Sequence, residues 1–190
     1  VRRSTPRRLY ELGVLALREL FDLGDHFEII TFGEKDLPDL GIPVKIRHAG
    51  ILDANELADL YRQCTVGFVL SGTNYSLVPN EMMACGLPVV DIDAEHTRVS
   101  YQPGTAVLAK AHPTEMASAL SRLLNDGSFW ESTARAGLAA ARQLNWDNSN
   151  KLVEAFIRES LPSAPSTSLN AQTSACLLYT SDAADDLLCV

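Results

Sequence analysis

One carboxylate, Glu81, stands where a polar loop meets the start of a short predicted helix. The loop reads "SGTNYSLVPNE", and Pro79 marks the first helical turn because no intrahelical N–H is needed there. A carboxylate in the first turn of a helix is stabilised by the helix dipole, which is one explanation for Glu81. The other explanation is chemical, since two carboxylate oxygens can accept hydrogen bonds from a pair of sugar hydroxyls. The position of Glu81 alone leaves both roles open.

The totals describe a globular chain with an acidic balance. Its 190 residues suffice for one domain with a hydrophobic core, and 46% of them are hydrophobic and 21% charged. The basic N-terminus lacks the apolar segment of a signal peptide, and no apolar run reaches the length of about 18 residues that predicts a membrane span. The net charge of −8 disfavours nucleic acid as a partner. Cys64 and Cys85 lie in apolar runs without metal-ligand spacing, so we expect a reducing, cytoplasmic location.

Short apolar runs alternate with amphipathic stretches along residues 1–160. Thr5 and Pro6 predict a helix start, Gly24 predicts its end, and Asp53 with Glu56 predicts a capping box. The strand candidates are apolar throughout, which indicates burial on both faces: "HFEIITFG", "VKIRHAG", "TVGFVLS", "LPVVDI" and "GTAVLA". The fold class predicted is therefore α/β, with a Rossmann-like parallel sheet and helices on both faces. Ligands of such sheets bind beyond the carboxyl ends of the strands.

The composition changes near residue 161. Residues 161–175 are rich in serine, threonine, alanine and proline, which predicts a disordered linker. The next stretch, "CLLYTSDAADD", resembles the translation of a transposon-based sequencing adapter, residue for residue in one reading frame. We therefore interpret residues 176–190 as an artefactual tail and assign no function to them.

The order of elements around Glu81 resembles the donor-binding half of family-4 glycosyltransferases, which have the GT-B fold. The family pattern is a Glu, seven residues, a second Glu and then a turn of small residues before Pro-Val-Val. The stretch "LVPNEMMACGLPVV" is similar to the second half of that pattern. The resemblance covers residues 1–160 and implies one half of a GT-B fold, the C-terminal donor-binding domain. It also implies that the first strand of this domain and the whole acceptor domain are missing from this chain.

The resemblance implies roles for individual residues. Glu81 would hold the ribose of a nucleotide. Arginine donates two parallel hydrogen bonds to a phosphate, so the basic N-terminus suits a diphosphate, with a solvated basic terminus as the alternative. The diphosphate-binding set implied is Arg2, Arg8, Ser76 and the backbone N–H groups of Leu77 and Val78.

Thr73 stands where the family has the first Glu of its pair. With this departure the sequence resembles a subgroup that includes bacterial rhamnosyltransferases of surface polysaccharide assembly. Thr73 and Asn74 would then meet the donor sugar with neutral groups, and ordinary turn chemistry is the alternative. His48 and Gly50, at the end of a predicted strand, mark the region expected near the nucleotide base, while a structural histidine is the other reading.

Asp91 and Asp93, two residues apart after an apolar run, have the spacing of a divalent-cation pair. The resemblance implies no dependence on a metal, so we expect no metal site and no cofactor. His96 and Arg98 follow these carboxylates at the edge where a donor would bind, and the sequence favours a solvated loop for them over contact with the donor.

The function expected for the parent protein is glycosyl transfer from a nucleotide-diphospho-sugar to an acceptor hydroxyl, in surface polysaccharide or glycan assembly. A glycan or lipid-linked acceptor would bind the missing domain, with peripheral membrane association of the full-length protein. No catalytic residue is identified, and the fragment alone should be inactive. A non-catalytic nucleotide or sugar-phosphate binding module and a GT-B nucleotide-sugar epimerase are the alternatives.

Overall fold

The protein is represented by a computed structural model that describes residues 8–36 and 40–161. Helices and strands alternate through these ranges. In chain order they are α1 (Tyr10–Asp22), β1 (Ile29–Thr31), β2 (Ile46–His48), α2 (Ala54–Gln63), β3 (Gly67–Phe68), α3 (Val78–Ala84), β4 (Val89–Ile92), α4 (Glu95–Ser100), β5 (Val107–Ala109), α5 (Pro113–Asn125), α6 (Gly127–Ala141) and α7 (Trp146–Ser160). The predicted linker from residue 162 onward and the predicted tail lie outside the described residues.

Every strand pair in the described ranges is parallel. β1 pairs with β2, and β4 lies between β3 and β5, with Val90 opposite Val107. This confirms the predicted parallel α/β class, although the strands form two sheets where one was expected. Ile29 of β1 and Phe68 of β3 line the same small cavity beneath α1. Among the described residues, no backbone ladder joins these two strands.

The core consists of two layers, one on each side of the strands. α1 packs on α5 over one face, and α3 packs on α6 over the other, with α2 beside α3. Val89 and Val90 belong to opposite layers because successive side chains of a strand alternate, and both are 0% exposed. Helices on both faces, as the apolar strands predicted, are therefore confirmed.

The predicted start of the first helix at Thr5 and Pro6 lies outside the described residues. Among the described residues, α1 begins at Tyr10. Leu9, just before it, has a φ of 48°, a left-handed conformation that cannot continue a helix. The predicted end is confirmed, since Gly24 follows α1 in a left-handed conformation with a φ of 86°.

Side-chain caps fix two other helix starts. The predicted capping box of α2 is confirmed: Asp53 accepts from the Glu56 N–H at 3.0 Å, and the Glu56 carboxylate accepts from the Asp53 N–H at 2.9 Å. The predicted solvated loop at His96 and Arg98 is wrong, because these residues lie in α4. Its start depends on buried Thr97, whose hydroxyl accepts from the Ala94 N–H at 3.0 Å.

The last helix, α7, buries none of its residues in the described structure. Its apolar side chains are exposed: Trp146, Leu152, Val153, Phe156 and Ile157. Among the helices described, none combines the length and the apolarity needed to cross a bilayer.

Gly137 of α6 is predicted to tolerate no branched side chain. A Cβ there would stand 3.0 Å from both Met83 Cγ and the Thr105 carbonyl oxygen. We expect Gly137→Val to lower the free energy of unfolding by about 1–3 kcal/mol, because overpacking would displace α6 from α3. Urea denaturation followed by circular dichroism measures this. Ala139→Val, on the exposed side of the same helix, is the matched control and should cost only the small propensity difference. Equal losses in the two variants would contradict the close-packing interpretation.

Candidate functional site

Ser71 lies three residues beyond the end of β3 and connects three parts of the chain at the carboxyl edge of the sheet. Its hydroxyl accepts from Arg8 Nη1 at 3.2 Å, and its carbonyl oxygen accepts from His96 Nε2 at 2.8 Å. Arg8 is only 6% exposed, so the alternative of a solvated basic terminus is wrong for this residue. Arg2, the other predicted phosphate ligand near the N-terminus, lies outside the described residues.

The start of α3 is held from within by Ser76. Ser76 is 2% exposed, and its hydroxyl oxygen accepts from the Val78 N–H at 3.4 Å. Leu77 precedes the helix and is 45% exposed, whereas Val78 is buried in the core layer beneath α3. The predicted diphosphate residues Ser76, Leu77 and Val78 thus form one turn at the helix start.

Thr73 and Asn74, the residues predicted near the donor sugar, are exposed in the loop between β3 and α3. The Thr73 hydroxyl donates to Asn74 Oδ1 at 3.1 Å, and Asn74 Nδ2 donates to the Tyr75 carbonyl oxygen at 3.1 Å. Both bonds are local, as expected from turn chemistry. Solvent-facing polar groups at this position are also available to a ligand.

Glu81 lies in the first turn of α3 and lines an open cavity of about 520 Å³. Tyr75 and Asn80 border the same cavity, and Trp146 at the start of α7 forms its far side. Although Glu81 is exposed as a residue, partial burial of its carboxyl raises the pKa, and a hydrogen bond from the Tyr61 hydroxyl opposes that rise. Tyr61 is a buried residue of α2, and its ring meets Phe32 edge-on, which fixes the ring whose hydroxyl acts on the Glu81 carboxyl.

Asp91 is a buried carboxylate in the middle of β4, 1% exposed. It accepts hydrogen bonds from the Tyr101 hydroxyl at 2.8 Å and from the Ile92 N–H at 2.7 Å. Burial raises the pKa of Asp91 to about 6, against the effect of these bonds. Burial and the neighbouring Asp91 carboxylate raise the pKa of Tyr101, so its hydroxyl stays protonated and donates. Sequence reasoning considered Asp91 only as half of a cation pair, although a single charge inside an apolar strand was a signal that it is held by specific partners.

Asp91 and Asp93, whose spacing suggested a cation pair, have separate partners in the structure. Asp93 forms an ion pair with Arg98, with Nη2 donating to Oδ2 at 2.8 Å, while Asp91 faces Tyr101. Within residues 8–36 and 40–161, no group of three histidine, cysteine or acidic side chains is placed to hold a metal ion.

His48, at the carboxyl end of β2, has both ring nitrogens engaged by protein. Nε2 lies 3.0 Å from the Glu34 carbonyl oxygen, which can only accept, so Nε2 carries the proton. Nδ1 then accepts from the Thr31 hydroxyl at 2.9 Å. This supports the structural reading of His48. Gly50, with a φ of 71°, turns the chain away from β2 at the same edge of the sheet.

The hydrogen bond between Tyr61 and Glu81 generates a prediction about titration. We expect Tyr61→Phe to raise the pKa of Glu81 further, because the substitution removes the donor that favours the charged carboxylate while burial remains. Titration of the Glu81 side-chain carbon resonance by NMR measures this. Tyr101→Phe is the control, since its hydroxyl bonds Asp91, and it should leave the Glu81 curve in place. A Glu81 curve that Tyr61→Phe does not move would contradict the hydrogen bond.

The raised pKa of Asp91 predicts a pH-dependent stability. In the unfolded chain Asp91 loses its proton near 3.8, whereas the folded chain holds it to about 6. The folded state binds the extra proton between these values, so the free energy of unfolding falls as pH rises through this window, by on the order of 3 kcal/mol. In the Asp91→Asn protein, the free energy of unfolding should not fall across this pH window.

Urea denaturation of both proteins across this pH window measures the effect of Asp91. The difference between the two curves isolates its contribution, because the neighbouring titratable groups His96 and Tyr101 are common to both proteins. Curves that stay parallel from about pH 4 to about pH 7 would show that Asp91 titrates normally.

Two curated relatives align with most of this chain. The O-antigen biosynthesis protein RfbC of Myxococcus xanthus is 32% identical over 148 residues, which is 76% of this chain and 11% of that protein. The D-inositol 3-phosphate glycosyltransferase of Thermomonospora curvata is 32% identical over 127 residues, 65% of this chain and 30% of that protein. The chain therefore spans less than a third of the length of either relative.

The fold is similar to that of a solved protein from Anabaena. Anabaena Alr3699/HepE, solved in complex with UDP-glucose, superposes with a TM-score of 0.67 at 17% identity, covering 82% of this chain and 46% of that one. At this identity the similarity is one of fold, and it agrees with the GT-B half expected from the sequence. Residues 1–121 match the family described as WsaF, C-terminal domain, so the chain belongs to that family.

Proposed function

We propose that the protein containing this chain transfers a sugar from a nucleotide-diphospho-sugar to an acceptor hydroxyl, and that this chain is its donor-binding domain. The observation that carries the proposal is Glu81, an exposed carboxylate oriented by Tyr61 on the first turn of α3, beside a loop anchored by buried Arg8. The relatives support the reaction class, since one is named for O-antigen biosynthesis and another as a glycosyltransferase. Surface polysaccharide or glycan assembly is the proposed setting.

The ribose of the donor is the proposed partner of Glu81. A carboxylate offers about four acceptor positions on its two oxygens. Tyr61 takes one of these from the core side, which leaves the solvent side for two sugar hydroxyls. Because α3 is packed against β3 and α6, the carboxylate is held in place before a ligand arrives. In this role Glu81 positions the nucleotide and transfers no proton.

The diphosphate is proposed to bind between Arg8 and the start of α3, with Arg2 contributing from the N-terminus. Arg8 brings a permanent positive charge to Ser71, at the base of the loop that ends at Ser76 and Leu77. The 3.4 Å separation between the Val78 N–H and Ser76 Oγ is long for a hydrogen bond, so a phosphate oxygen can compete for that donor. Donors fixed before the reaction stabilise the charge that develops on the leaving diphosphate.

The donor sugar and the nucleotide base are proposed to lie at the two neighbouring loops. Thr73 and Asn74 would meet the donor sugar, since their exposed side chains bond to each other and can exchange partners. The chain near His48 and Gly50 would lie beside the nucleotide base. A rhamnosyl donor remains a prediction from the Thr73 departure. The proposal includes no metal ion, and it places the parent protein in the cytoplasm with a glycan or lipid-linked acceptor bound by another domain.

Glu81→Gln tests the ribose contact. We expect this substitution to weaken UDP binding about 10-fold to 100-fold, since a hydrogen bond to a charged acceptor contributes about 1.5–3 kcal/mol. It should leave the affinity for 2′,3′-dideoxy-UDP unchanged, because that ligand lacks both hydroxyls. Isothermal titration calorimetry with the two ligands measures the difference.

The matched control is Glu115→Gln in the first turn of α5, which packs in the opposite layer. This variant should bind both ligands as the wild-type chain does. An equal loss of affinity for UDP and for its dideoxy analogue in Glu81→Gln would rule out the ribose role. A folded wild-type chain that binds none of UDP, dTDP, GDP, CDP and ADP would rule out the donor-binding function itself.

A further inference from the structure

Asp91 reaches the base of the loop between β3 and α3 directly. Its carboxylate accepts a hydrogen bond from the backbone N–H of Ser71, three residues beyond the last residue of β3. The same Ser71 carries the bonds from Arg8 and His96. One buried carboxylate therefore fixes the main chain at the point where the loop leaves the sheet.

Asp91 reaches the far end of the loop through two aromatic rings. The Tyr101 hydroxyl donates to Asp91 Oδ2 at 2.8 Å, and Tyr101 is 7% exposed. The edge of its ring meets Tyr75, with centroids 5.8 Å apart and planes at 71°. The Tyr75 hydroxyl in turn accepts from the Asn80 side chain on α3. This chain of contacts connects β4 to the last residues of the loop and to the helix that carries Glu81.

The geometry assigns Asp91 as a positioning residue that holds the 71–77 loop against α3, in the shape that presents Glu81 and Arg8 to the donor. This inference rests on the proposed function for its ligand, while the mechanical link between Asp91 and the loop stands on the contacts alone. Asp91 touches no proposed ligand atom. It acts through Ser71 at one end of the loop and through Tyr101 and Tyr75 at the other.

The location of Asp91 argues for this role over simple stabilisation. A carboxylate buried in an apolar strand loses its hydration, and a well-packed apolar residue at such a site is often neutral or favourable for stability. Two of the donors to Asp91 are tied to the loop. Ser71 is the first residue of the loop, and Tyr101 packs on Tyr75 within it. Removing either donor should therefore disturb the loop more than the rest of the domain.

Amide hydrogen exchange by mass spectrometry on the unliganded chain tests the mechanical link. Tyr101→Phe keeps the ring against Tyr75 and removes the hydroxyl that bonds Asp91. We expect it to accelerate exchange across residues 71–77 by about tenfold or more, with little change in α5. Asp91→Asn keeps an oxygen for Tyr101 but turns an amide donor toward a backbone N–H, so it should accelerate exchange in the same segment.

Leu120→Ala is the matched control, a truncation in the opposite core layer that destabilises the domain without touching the loop. It should lower the melting temperature at least as much as Tyr101→Phe while leaving UDP affinity at the wild-type value. Tyr101→Phe should weaken UDP binding by about tenfold, measured by calorimetry at a temperature where all variants are folded.

Each outcome decides the inference. Faster loop exchange together with weaker UDP binding in Tyr101→Phe, and not in Leu120→Ala, supports it. Loop exchange that is unchanged in both Tyr101→Phe and Asp91→Asn overturns it, as does a faster loop with wild-type UDP affinity. If the wild-type chain binds none of UDP, dTDP, GDP, CDP and ADP, the proposed function fails, and loop exchange alone still decides whether Asp91 fixes the loop.

Discussion

The described structure depends on the burial of β4 on both of its faces. Pairing with β3 and β5 occupies its backbone, and Val89 and Val90 point into opposite helix layers with no solvent exposure. A strand buried in this way accepts a polar side chain only if that side chain finds hydrogen-bond partners inside the protein. Asp91 meets this condition through Tyr101 and Ser71, and the same bonds locate the loop that follows β3.

Close approach of α3 to its neighbours is the second constraint, and glycine makes it possible. A Cβ at Gly67 would stand 2.5 Å from the sulfur of Met82, so β3 and α3 can pack at this distance only without a side chain there. Met82 and Met83 are buried on the underside of α3, and moving the helix outward would open cavities beneath it. Glu81 on the upper side is therefore attached to a helix that has little freedom to shift.

The site combines a buried cation with a partly desolvated carboxylate on one loop-and-helix unit. Arg8 is held at Ser71 and suits an anion, whereas Glu81 is oriented by Tyr61 and suits hydroxyl donors. A nucleotide-diphospho-sugar carries both kinds of group, a diphosphate and a ribose, on one molecule. The proposed donor would bring its diphosphate to Arg8 and its ribose to Glu81.

Local patterns in the sequence were sufficient to predict the α/β class, the capping box at Asp53, the helix start before Glu81 and the glycine at the end of α1. Each of these depends on residues a few positions apart, whose preferences act before the chain is folded. The short helix α4, the left-handed Leu9 and the partners of Asp91 were not predictable in this way. Arg8 meets Ser71 across 63 residues and Tyr101 meets Asp91 across 10. Such contacts exist only once the strands are paired and the helices packed, so the tertiary structure alone decided which polar groups at the sheet edge would be held together.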